Sequence, residues 1–118
     1  MERPRMTHEL KTWPEFFTET RAGRKKFELR RNDRDFQVGD QLLLKEWNPK
    51  VYARLLSLEH EPPSEEALEQ FVQAAYTGRE LLVRVDYIMD SWRIDEIGLE
   101  IGDVRGPRFV IMSISLVS

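Results

Sequence analysis

Gly23-Arg24-Lys25-Lys26-Phe27-Glu28-Leu29-Arg30-Arg31-Asn32-Asp33-Arg34 reads as a stop, a basic corner, a short alternating run and a polar turn. A helical pattern runs out at Ala22, and Gly23 stands where a helix C-terminal glycine belongs. Lys26-Phe27-Glu28-Leu29-Arg30 then alternates polar and apolar, the period of a half-buried strand. Phe27 and Leu29 are expected to face a core, with Lys26, Glu28 and Arg30 together on the opposite face. Lys25 falls at the helix-to-strand corner, from which a side chain can point into a cleft.

The same stretch gathers charge. From Arg21 to Arg34, seven cations (Arg21, Arg24, Lys25, Lys26, Arg30, Arg31 and Arg34) meet only Glu28 and Asp33. The window is therefore about +5 in a chain of formal charge −3, and the other residues carry about −8. Positive charge concentrated in this way is suited to holding an anion. The alternative is a solvated surface, in which Glu28 and Arg30 form an exposed ion pair worth little.

A length of 118 residues fits one domain, 1–118, with room for a real core. The absence of cysteine excludes disulfides and thiolate metal sites. His8 and His60 are the only histidines and lie far apart without a ligand-like pattern, so neither a metal nor a cofactor is expected. The start of the chain lacks the apolar core of a signal peptide, and no apolar run approaches the roughly 20 residues that span a bilayer. The expectation is a soluble, cytoplasmic protein with no membrane partner.

On the N-terminal side of the basic stretch, Met6 to Lys11 alternates and predicts a strand with Met6, His8 and Leu10 on one face. His8, on that apolar-facing side, suits a buried, hydrogen-bonded role. Thr12-Trp13-Pro14-Glu15 matches a capping box, with Pro14 in the first helical turn. Trp13, Phe16, Phe17 and Thr20 follow at helical spacing and predict one aromatic face turned to the core. On the other side, Asn32 to Asp35 is turn-rich. Gly39-Asp40 predicts a tight turn with positive φ at Gly39, leading into Gln41 to Trp47, a run apolar on both faces as in a buried strand.

Val51 to Leu58 reads as helix or strand, and Pro62-Pro63 breaks the chain. Ser64 is placed to cap a helix carrying Leu68, Phe71, Val72 and Ala75. Glu61, Glu65, Glu66 and Glu69 make this segment acidic, which suits covering the core or meeting a protein partner better than touching nucleic acid. Leu81 to Asp90 alternates, with Leu81, Val83, Val85, Tyr87 and Met89 on one face and Arg84 and Asp86 on the other. Ser91 to Gly106 is a polar connection, and Phe109 to Val117 a last apolar strand. Four or five strands with an early and a later helix predict a small α+β domain built on a mixed, partly closed barrel.

His8-Glu9-Leu10-Lys11, Gly23-x-Lys25-x-x-Glu28-x-Arg30, and Asn32 through Asp40 together resemble the ASCH domain. The likeness is nearest to a bacterial and phage group within it. Tyr76-Thr77-Gly78-Arg79, Leu81 to Ile88 and Phe109 to Ile114 also fit. Residues of about 50–75 look like a helical insertion. The resemblance implies a PUA-like fold, a small mixed β-barrel with flanking helices, and a cleft between helix and barrel that holds Lys25, Glu28 and Arg30. It also implies binding of RNA or nucleotides. One related branch hydrolyses N4-acetylcytidine with a lysine, a threonine three residues later and a distant glutamate. Here the lysine position is Lys25, and the threonine position holds Glu28.

Three functions follow as expectations. The first is an RNA- or nucleotide-binding module, with recognition by His8, Lys11, Lys25, Glu28, Arg30 and Arg34. Its phosphate contacts would come from Arg21, Arg24, Lys26 and Arg31, with Trp47 and Trp92 as candidates for base stacking. The second is a small amidohydrolase acting on an N4-acylated cytidine, with Lys25 as base or nucleophile and Glu28 moving protons. The third is a protein-interaction module working through the acidic segment at 50–75.

Overall fold

The computed structural model describes residues 4–90 and 109–117. Among the described residues, five strands and three helices follow one another in the order β1 (Thr7–Thr12), α1 (Pro14–Arg21), β2 (Phe27–Arg31), β3 (Gln41–Trp47), α2 (Pro49–Ser57), α3 (Glu65–Ala74), β4 (Tyr76–Asp90) and β5 (Phe109–Leu116). The strands form one mixed sheet in the order β1-β3-β4-β5-β2. β1 runs parallel to β3, and every other neighbouring pair is antiparallel. The sheet curls into a half-barrel, so the expected α+β class and barrel-like sheet stand.

The core lies inside the curl. Leu10, Leu42, Leu44, Val83, Val85, Val110, Met112 and Ile114 converge there from four strands, and α1 adds Phe17. Alternation of buried with less buried positions along β1, β3 and β5 is what one filled concave face requires. β3, expected to be apolar on both faces, buries Leu42, Leu44 and Glu46 and leaves Leu43 half-exposed. β4 begins at Tyr76, earlier than its apolar alternation suggests, and contains Gly78 at φ +92°. A register shift between Val85 and Tyr87 reverses its phase. Ile88 therefore packs on the core and Tyr87 is exposed, contrary to the single face expected through Tyr87 and Met89.

α1 ends as the sequence implies. Gly23 has φ +78°, and the amides of Ala22 and Gly23 donate to Thr18 and Thr20 carbonyls. Its start differs. The N-cap is Trp13, without a side-chain cap bond, and the expected capping box does not form. Thr12 is instead the last residue of β1, its side chain turned inward at 2% exposure. The predicted aromatic face also divides. Phe17 and Thr20 are buried, whereas Trp13 and Phe16 are each 46% exposed.

The larger correction concerns β2. Its burial is the inverse of the expected pattern: Glu28 is buried, and Phe27 and Leu29 are 49% and 57% exposed. Pairing with β5 decides this. Glu28 stands opposite Met112 and Arg30 opposite Val110, both core residues, while Phe27 and Leu29 oppose Ser113 and Ile111 on the outer face. Alternation separates two faces of a strand without saying which one turns inward.

Beyond the sheet, α2 and α3 pack against each other. The side chains of Asn48 and Ser64 accept from the amides of Lys50 and Ala67 to cap them, as expected for Ser64. Gly39 has φ +93°, as predicted, in a turn closed by Gly39 N donating to Val85 O at 2.8 Å. No helix among the described residues is long and apolar enough to cross a membrane.

Candidate functional site

β1 and β2 are the two edges of the curled sheet, and no backbone ladder joins them. Arginines span the gap. Arg30 donates from Nη2 to Lys11 O at 2.8 Å and to Thr12 Oγ1 at 3.3 Å. Arg34, one turn further on, donates from Nη1 to Glu9 O. Edge carbonyls that would otherwise face only water thus gain charged donors.

Glu28 holds the inner end of this seam. One oxygen accepts from Lys25 Nζ at 3.0 Å and the other from Arg30 Nε at 2.9 Å. Lys25 also donates to Phe27 O at 2.6 Å. Its ammonium lies 4.8 Å from the centre of the Phe27 ring and 5.9 Å from that of Phe16. A carboxylate at 3% exposure would be costly alone. Flanked by two cations, it leaves the group with a net charge of about +1.

Above this group opens a cavity of about 370 Å³ between the start of α1 and the ends of β1 and β2. Lys25, Glu28 and Arg30 line its polar side, with Thr12 beside them. Trp13, Phe16, Phe27 and Leu29 line the apolar side. Trp13 and Phe16 are stacked, with ring centres 6.1 Å apart and planes 15° from parallel. Pro14 at the first helical position orients this turn without losing a helical hydrogen bond.

The sequence-predicted residues therefore separate. Lys25, Glu28 and Arg30 converge on the cavity, and Lys11 lines its edge. His8 and Arg34 do not line it. They border a neighbouring trough on the β1 side together with Arg30 and Lys11. His8 is buried, its Nε2 donating to Asp40 Oδ2 at 2.8 Å and its ring edge-on to Phe36. Among the intended phosphate contacts, Arg24 is held by Glu19 through two hydrogen bonds of 2.6 and 3.1 Å. The hydrogen bond from Arg24 is the main cause that holds the Glu19 carboxyl below its ordinary range. Arg21, Lys26 and Arg31 are exposed and form no ion pair among the described residues. Trp47 is tied to α3 by donation to Val72 O at 2.9 Å and packs on Tyr52, so it serves packing. Trp92 lies outside the described residues.

Sequence reasoning missed three features. Helical spacing places Trp13 and Phe16 with Phe17 on the core face, whereas their position in the first turn beside Pro14 leaves them at the helix rim. Asp40 is buried and accepts from Met6 N, Gln37 N and His8, which fastens β1 to the turn before β3. Glu46, opposite Thr12 in the β1–β3 register, is buried with Thr77 Oγ1 at 2.7 Å and Arg79 at 3.6 Å. A single acid in an apolar strand was the available signal for Glu46. No group of His, Cys, Asp and Glu among the described residues could hold a metal ion.

Residues 7–97 match the family model described as Domain of unknown function (DUF3850). The chain belongs to this family. The DUF3850 match begins at β1 and takes in every residue that lines the cavity. β5, which pairs with β2 and sets the inward face of Glu28, lies beyond it. A comparison with curated proteins finds no match.

Proposed function

We propose that this DUF3850 protein binds a nucleotide unit, free or within RNA, in the cavity beside α1. One observation carries the reading: exposed aromatic side chains and a Lys25–Glu28–Arg30 group of net positive charge, with Glu28 buried and the two cations half-buried, line one cavity. A nucleotide offers the matching pair of surfaces, a flat base for the rings and a phosphate for the cations. The resemblance to the ASCH domain, with its PUA-like fold, supports the same class of ligand. Arg21, Lys26 and Arg31 add attraction at the periphery.

Glu28 takes a different part from direct base readout, because both its oxygens are occupied by Lys25 and Arg30. It sets the positions of the two cations. The same occupancy weighs against hydrolysis of an acylated cytidine, since moving a proton through Glu28 first requires one ion pair to break. The third function expected, capture of a protein through 50–75, gains no feature that specifies a partner.

The test is titration of purified protein with nucleoside monophosphates and short labelled RNAs, followed by calorimetry and fluorescence anisotropy. Trp13→Ala should weaken binding by about tenfold or more, since one base stack is worth about 1–3 kcal/mol, and should melt like the parent. Unchanged affinity in Trp13→Ala, or no binding by the parent at low salt, would overturn the proposal.

A further inference from the structure

A second arrangement of positive charge lies on the outer face of the sheet. β1 and β3 run parallel, and Lys11 is in register with Lys45. Both alternate with buried neighbours and so point away from the core. Like charges on adjacent strands oppose folding, and among the described residues neither lysine has an ion-pair partner. Each is instead seated on an aromatic ring. Lys11 Nζ lies 5.1 Å from the centre of Trp47, and Lys45 Nζ lies 4.9 Å from that of Tyr76. Trp47 is itself fixed to α3. Two ammonium groups are thus held in place without being neutralised.

Lys11 joins this pair to the cavity. A trough of about 610 Å³ runs beside β1, bordered by Lys11, Arg30, Arg34 and Tyr76. Lys11 and Arg30 belong to cavity and trough alike. A line of cations therefore leads from the nucleotide pocket, through Arg30 and Lys11, to Lys45. Glu9 in the trough and Glu80, the register partner of Lys45 on β4, bound that line.

From this arrangement we propose that the ligand is a single strand of RNA, with one base in the cavity and the adjoining phosphodiesters along the trough and on past Tyr76 to Lys45, which lies beyond the trough's lining beside Lys11. The proposal rests on the pocket reading above and adds the chain that leaves the pocket. Lys11 and Lys45 contact phosphate, and Trp47 and Tyr76 position them. A free mononucleotide fills the pocket and leaves the lysine pair unused.

The experiment compares a nucleoside monophosphate, an eight-nucleotide RNA and the DNA of the same sequence. The proteins are the parent, Lys45→Ala and Lys45→Arg, over a salt series. The parent should bind the RNA about tenfold tighter than the mononucleotide or better, through the added phosphate contacts. Lys45→Ala should remove most of that advantage, flatten the log–log salt slope by about 0.7 and leave mononucleotide binding unchanged. Lys45→Arg should restore the advantage. If the parent binds mononucleotide and RNA within about twofold, or Lys45→Ala keeps the length advantage, the track is wrong while the pocket stands. DNA bound as tightly as RNA would overturn the assignment to RNA. Failure of the parent to bind either RNA or mononucleotide would instead overturn the pocket reading.

Discussion

Glu28 has two carboxylate oxygens and two cations to fill them, and this shows how a charged residue can occupy the inward face of a strand. Arg30 reaches Glu28, Lys11 O and Thr12 Oγ1 with one guanidinium, a set of directions that only a planar fork offers. Arg30→Ala should therefore destabilise the protein by about 1–3 kcal/mol, the cost of leaving buried partners unsatisfied. Arg30→Lys should recover only part of this. Urea unfolding of both variants checks the expectation, and equal stability of Arg30→Lys and the parent would show that charge alone suffices. Phe17 sets the scale for apolar burial. At 1% exposure it is the largest side chain that α1 gives to the core, and Arg79 lies over its ring at 4.9 Å. Phe17→Ala should cost roughly 3–5 kcal/mol, read as a shift in the urea midpoint with an unchanged slope.

β2 shows at the level of an element what alternation can and cannot reveal. Its existence and its two faces were legible in Lys26 to Arg30, and so were the Gly23 stop and the Gly39 turn. Which face turned inward was not legible, because register partners in β5 lie 78 to 86 residues away and no local pattern encodes them. The same holds for Tyr87, whose exposure follows from a register shift against β5. The cavity was legible as chemistry in Lys25, Glu28 and Arg30. Its aromatic wall was not, because helical spacing groups Trp13 with Phe17 although only the latter meets the sheet. The inversion is testable. Leu29→Ala should change stability by no more than about 0.5 kcal/mol, as at an exposed position, where a core leucine would cost about 2–5 kcal/mol. Gly39→Val behaves oppositely. A side chain there meets both a positive φ and Arg5 Nε at 3.0 Å from the added Cβ, so thermal unfolding should show a loss of about 1–2 kcal/mol with no selective change in ligand affinity.

At the scale of the whole molecule, the proposed function raises the question of how a chain of net charge −3 would attract a polyanion. The fold answers it by dividing the cations between Arg21 and Arg34 into two sets. Arg24, Lys25, Arg30 and Arg34 are engaged by Glu19, Glu28, and the edge of β1. Arg21, Lys26 and Arg31 remain exposed and without ion pairs among the described residues. The first set shapes a site, and the second supplies the local field that offsets acidic segments such as the start of α3. Arg31 follows Arg30 on β2 and points to the outer face, so it can meet a phosphate without disturbing Glu28. Arg31→Ala should lower the association rate and reduce the magnitude of the log–log salt slope by about 0.7 for a single strand. The reduction should be alike for RNAs of different sequence, since a phosphate contact carries no base information. Stopped-flow association across a salt series measures the rate and the slope together. A change in base preference without a change in slope would place Arg31 among the recognition residues, and the division of labour along β2 would then be wrong.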